Sequence, residues 1–177
     1  MLMKHITKII MLNILLMTTT ILFSAPNGDE FINHKPDFVI TVPTGWHGGA
    51  EDADRSKGEF MIKYTGEWRM PSLSVIEAHY FTEATELKTL TEGAILSLKK
   101  NYKGKNFEVI YSKEIKMSDG SQGFEAEIKW QHPMKITLYS THVWVRKNSV
   151  SLAAVLTNMK MNEESLKAYL YTLTIKP

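Results

Sequence analysis

The sequence predicts an α/β (α+β) fold, a three-layer α/β/α sandwich around a central, mostly antiparallel sheet of about six to seven strands. Three observations carry that expectation. In Phe124–Gln131 apolar and polar residues alternate without a break, the period of a strand with one face buried and one face wet. After His132-Pro133, Met134–Val145 carries large apolar residues in both phases: Ile136, Leu138 and Trp144 in one, Tyr139, Val143 and Val145 in the other. A strand of that kind is covered on both faces. Two stretches at helical spacing, Leu87/Leu90/Ala94/Leu98/Tyr102 and Leu166/Tyr169/Leu170/Leu173, supply the cover.

The 177 residues suit one domain preceded by a leader. Lys4, His5 and Lys8 are followed by an apolar run from Ile9 to Phe23 and then by Ser24-Ala25-Pro26. A basic start, a short apolar core and small residues describe a secretory signal peptide over 1–25, with an uncleaved anchor as the competing reading. At 15 residues the run is shorter than the roughly 20 that span a bilayer. No cysteine follows it, so a lipid-modified N-terminus is excluded. Without Lys4 and Lys8 the 21 basic residues fall to 19, equal to the 19 acidic ones. A neutral mature chain shows neither a nucleic-acid footprint nor a polybasic membrane patch. The expected location is periplasmic or secreted, with no stable membrane insertion once the leader is cleaved. The absence of cysteine also excludes disulfides, thiolate metal sites and a cysteine nucleophile.

Residues 26–36 are polar with scattered apolar positions and read as a linker, with the domain at 37–177. Phe38–Val42 is a β-branched strand stopped by Pro43-Thr44-Gly45. His47–Gly58 is rich in glycine and charge and reads as a long loop, a length usually tied to function or mobility. Glu59–Thr65 is a strand, Gly66–Pro71 a connection, and Leu73–Phe81 a third strand. The first helix follows, with a capping box at Thr89–Glu92 or an earlier start at Thr82 or Thr85, and Gly104 after its end. Phe107–Met117 is a fourth strand, Asp119-Gly120 a turn, and three meander strands lead to Thr157. Asn162, with Glu163 and Glu164 behind it, is the expected N-cap of the last helix.

The stretch Phe38-Val39-Ile40-Thr41-Val42-Pro43-Thr44-Gly45-Trp46 resembles the opening of PsbP-like and DcrB-like proteins. The later helix, the Gly120-x-x-Gly123 turn into a meander and the final helix follow the same plan over residues 37–177. The resemblance implies an antiparallel sheet between helices. It also implies binding rather than catalysis: plant members are extrinsic photosystem II subunits, bacterial ones are envelope proteins, and a nuclear-transport protein of this fold binds a small GTPase. No catalytic residue is carried over, and fold alone does not assign function.

The residues themselves show no G-x-S-x-G, phosphate-binding glycine loop or H-E-x-x-H. The chain is therefore read as a non-enzymatic exported protein that binds an envelope protein partner. The binding candidates are Trp46 and His47, opening the glycine-rich loop, and Trp68 and Arg69 in the short connection, residue types enriched at interfaces. The alternative is a small-ligand or divalent-metal site beside the His47–Gly58 loop. No cofactor is expected. Asp52-x-Asp54-x-Ser56 opens like a calcium loop, but the glycine comes late, at Gly58, and Lys63 stands where the bidentate glutamate belongs. Met159-Lys160-Met161 offers thioethers for Cu(I), although such methionines more often fill a gap between strand and helix. His142, in phase with Trp144, reads as a partly buried residue.

Overall fold

The computed structural model describes residues 26–34, 36–50, 60–66, 70–77, 86–101 and 106–177. The predicted meander is its centre: β7 (Gln122–Gln131), β8 (Thr137–Lys147) and β9 (Val150–Asn158) are consecutive antiparallel neighbours. β6 (Glu108–Lys116) extends the sheet beyond β7. On the other side β9 pairs with β5 (Ser72–Glu77), followed by β4 (Phe60–Thr65) and β3 (His47–Ala50). All seven strands run antiparallel in the order β3-β4-β5-β9-β8-β7-β6.

One face of the sheet is covered by α1 (Leu87–Asn101). Its Leu87, Ala94, Ile95 and Leu98 pack on Ala126, Trp144, Ala153 and Val155, and Ile95 and Leu98 reach Ile128, Trp130 and Leu138. The other face meets a mixed layer. It contains α2 (Glu164–Leu170) and a second sheet of β1 (Gly28–His34), β2 (Asp37–Pro43) and β10 (Thr174–Ile175). Here Phe38, Ile40, Val42, Leu170 and Leu173 close on Leu73, Val75, Val143, Leu152 and Leu156. The three-layer sandwich and its antiparallel centre are as predicted. Phe38–Val42, however, belongs to the second sheet and not to the central one.

Four local readings change. The segment read as a linker contains β1, paired with β2 from Gly28↔Pro43 to His34↔Asp37. Its Asp29, Glu30 and Asn33 disguise a strand whose Phe31 packs against Phe38 and Tyr64, at ring separations of 6.3 and 6.0 Å. The supposed loop after Trp46 opens with β3, while residues 51–59 lie outside the described ones. A Cβ on Gly48 would stand 2.0 Å from the Lys63 carbonyl oxygen, so β3 approaches β4 as only glycine permits. α1 starts at Leu87, which places Thr89–Glu92 inside the helix; Thr91 Oγ1 donates to the Leu87 carbonyl at 2.9 Å. Asn162 does not cap α2: the N-cap is Glu163, without a side-chain bond, and Asn162 Nδ2 instead donates to Thr141 Oγ1 (2.9 Å) and the Leu156 carbonyl (3.0 Å).

The largest correction concerns β7. Its alternation predicted one wet face, yet Glu125 and Glu127 are both 0% exposed. The second face of β7 is buried as well, beneath α2, and its polar residues face polar partners.

Candidate functional site

The strand register brings both sequence-predicted regions to one end of the central sheet. His47 lies opposite Thr65, Thr65 opposite Ser72, Ser72 opposite Thr157 and Thr157 opposite Ser140. Gln131 faces Thr137 and Lys129 faces Glu108. One rim therefore carries Trp46 and His47, the two ends of the connection between β4 and β5, the link from β9 to α2, and the β7–β8 turn. At about 4.8 Å per strand it is roughly 30 Å long.

His47 is exposed. Trp46 is half-buried against the core between the layers, and its N–H donates to the Pro43 carbonyl at 3.2 Å, closing the turn that delivers β3. The connection is pinned by Gly66 N–H donating to the Pro71 carbonyl at 3.1 Å. Trp68 and Arg69 lie outside the described residues, so of the four binding candidates the structure places Trp46 and His47.

The rim also exposes residues the sequence reading did not single out for binding. Met134 is 70% exposed, Met159 55% and Met161 51%, and Ile136 is exposed beside them. Met159 and Met161 thus fill no gap. Val109 and Ile110, where β6 bulges, stand next to the same end. Among the described residues only Ile32 and Leu96 are comparably exposed elsewhere. Among the described residues the lysines of this end are Lys129, Lys135 and Lys160. Lys129 pairs with Glu108 at 3.7 Å and Lys160 with Glu163 at 2.8 Å. Lys160 holds the Glu163 carboxyl below its ordinary value by hydrogen bond and charge. His132 Nδ1 accepts from Met134 N–H at 3.3 Å, and its ring lies 6.1 Å from that of Trp130. The signal for this surface was present in the sequence as two similar tripeptides, Met134-Lys135-Ile136 and Met159-Lys160-Met161, which the register brings to one side.

A second constellation lies under α2. Glu125 accepts hydrogen bonds from Tyr111 OH and, at 2.8 Å, from Tyr171 OH, and Lys113 approaches it at 3.6 Å. Lys167, 3% exposed, donates to Tyr111 OH at 2.9 Å and to Glu164 at 3.1 Å, and stands 3.8 Å from Glu127. Thr141 donates to Glu127 Oε2, while Glu127 Oε1 and Asn162 Oδ1 have no hydrogen-bond partner. Lys113 and Lys167 both stand near the Tyr111 ring, 5.2 and 5.3 Å from its centre.

The electrostatics of this cluster keep its two phenols and its ammonium protonated. Burial and the bond to Glu125 push the Tyr111 hydroxyl up to about 12. The same two causes raise Tyr171. Burial by itself lowers Lys167, but its bonds to Tyr111 and Glu164 and the charge of Glu127 outweigh that and raise it. Burial raises Glu127, against the opposing effects of Thr141 and Lys167. A phenol or ammonium held in that state is not a base near neutral pH. The cluster ties α2 to β6 and β7. It was illegible because the partners of Glu125 and Glu127 sit tens of residues away.

His142 is buried and stacked on Trp144, with ring centres 5.2 Å apart and planes at 16°. Among the described residues no three histidine, aspartate or glutamate side chains are grouped to hold a metal ion, and no helix is long and apolar enough to cross a membrane.

The sequence matches no protein-family model and no curated protein. Its fold is similar to solved structures. The solution structure of cyanobacterial PsbP (CyanoP) from Synechocystis sp. PCC 6803 matches with a TM-score of 0.61 at 11% identity, over 84% of this chain and 92% of that one. The crystal structure of LpqN, involved in cell envelope biogenesis of Mycobacterium tuberculosis, matches with a TM-score of 0.50 at 15% identity, over 85% and 86%. By that likeness the chain has a PsbP-like fold.

Proposed function

We propose that this chain is a non-enzymatic, exported binding protein of the cell envelope that engages a protein partner through the β3–β4–β5 part of the rim. One observation carries the reading: the register places exposed His47, the edge of Trp46 and both ends of the Gly66–Met70 connection side by side. Aromatic residues, arginine and methionine are enriched at interfaces, and this segment supplies Trp46, Trp68, Arg69 and Met70. The leader and the fold shared with LpqN, a protein involved in cell envelope biogenesis, support an envelope setting.

The chain has no cysteine, so a single introduced one carries a probe without ambiguity. A photo-crosslinker on His47→Cys is expected to capture one defined protein in the native envelope. The same probe on Ser149→Cys, in the turn between β8 and β9 at the opposite end, captures none. Trp68→Ala or Arg69→Ala reduces the capture at position 47 to background. Equal patterns from positions 47 and 149, or none from either, defeat the proposal.

A further inference from the structure

We infer that the other part of the rim, the β7–β8 turn and the β9–α2 link, docks on an anionic lipid bilayer, with its two tips seated at headgroup level. This goes beyond the protein-binding reading, which uses the β3–β4–β5 part. Each tip has the order apolar, lysine, apolar: Met134-Lys135-Ile136 and Met159-Lys160-Met161, all six residues exposed. Lysine is depleted at protein interfaces. At a lipid surface the same residue lays its stem along apolar neighbours and keeps its ammonium among phosphates. Apolar side chains at a bilayer interface are buried about 5–10 Å into the boundary between headgroups and acyl chains.

The charge arrangement fits an anion. Among the described residues Glu108 and Glu163 are paired with Lys129 and Lys160, so Lys135 is the tip lysine left to meet an anion. Lys135, held at the turn tip with φ 64°, has no acidic partner among the described residues. The opposite end presents no comparable apolar side chain among the described residues of the turns 117–121 and 148–149.

A third, independent observation is where the leader joins. Gly28 pairs with Pro43, three residues before Trp46, and Tyr169 OH donates to the Asn27 carbonyl at 2.8 Å. The domain therefore begins at the β3 corner of the same rim. The apolar run ends at Phe23, four residues before Asn27, a span of at most about 14 Å for an extended chain. While that run is held in a bilayer, the rim is the end kept near it.

The test uses the full chain with single cysteines carrying a nitroxide at Met134→Cys, Met159→Cys or Ser149→Cys, added to vesicles of phosphatidylglycerol mixed with phosphatidylcholine or of phosphatidylcholine alone. On the anionic vesicles the labels at 134 and 159 are expected to become accessible to a lipid-soluble collision agent while 149 stays aqueous. Lys135→Glu is expected to cut the preference for anionic vesicles at least about fivefold, the weight of one lysine near such a surface. Labels at 134 and 159 as aqueous as 149 overturn the inference. Shielding by an envelope extract but not by vesicles also overturns it, because a protein then covers the tips. Crosslinking from position 47 is read separately, so loss of one proposal leaves the other standing.

Discussion

Lys167→Met is expected to destabilise the fold by about 3–5 kcal/mol, the usual result of removing one partner from a buried ion pair. Lys167 is the one cation of α2 inserted beneath the sheet layer, in reach of Glu127 and bonded to Tyr111 and Glu164. Its removal leaves a buried carboxylate with an already unpartnered oxygen, Glu127 Oε1. Urea denaturation reads the loss directly. Lys167→Met combined with Glu127→Leu is expected to recover most of it, since an apolar pair of similar volume replaces a buried ion pair at little cost. A loss below about 1 kcal/mol in the single variant would show that the lysine is held only by its solvent-facing bond to Glu164.

Acidification is the second large effect, and His142 is its source. Burial lowers this histidine from 6.5 to about 4. The folded state therefore binds the proton more weakly than the unfolded chain. The associated stability is full above pH 6.5 and is lost as pH falls toward 4. At pH 5 the loss is about 2 kcal/mol by linkage between those two values. Glu127 has the opposite sign: its raised value stabilises the fold at low pH, and the contribution fades as pH rises through the folded value. Comparison with His142→Gln isolates the histidine. Wild type is expected to lose about 2 kcal/mol more than the variant between pH 7.5 and pH 5, measured by urea midpoints at each pH. Parallel pH profiles for the two proteins would place the acid sensitivity elsewhere.

The layers were legible because they rest on periodicity. Leu90, Ala94 and Leu98 repeat at helical spacing and do face the sheet. β8, apolar in both phases, is covered on both sides. What failed was each inference from polarity to solvent. Glu125 and Glu127 alternate with apolar residues as an exposed face would, and it is distant partners, Tyr111 and Tyr171 for Glu125 and Thr141 and Lys167 for Glu127, that meet them in the interior. β1 failed in the same way, since backbone pairing with β2 holds a strand whose side chains look like a linker. The rim was half legible. Trp46 and His47 stand out singly, but nothing local says that the turns at 132–136 and 159–161 lie on their side. Register, a long-range property, decides that.

The second sheet has a consequence for when the chain can become native. β2 is held on one side by β1, its neighbour in sequence, and on the other by β10, through Thr174↔Val39 and Ile175↔Phe38. Lys176 N–H also donates to the Asp37 carbonyl at 2.8 Å. The first strands of the domain are therefore completed by residues about 135 positions further along the chain. Contacts of such separation form late and slowly, because the closure entropy must be met before they contribute. Until Thr174 and Ile175 have been synthesised, the hairpin of β1 and β2 lacks its third strand.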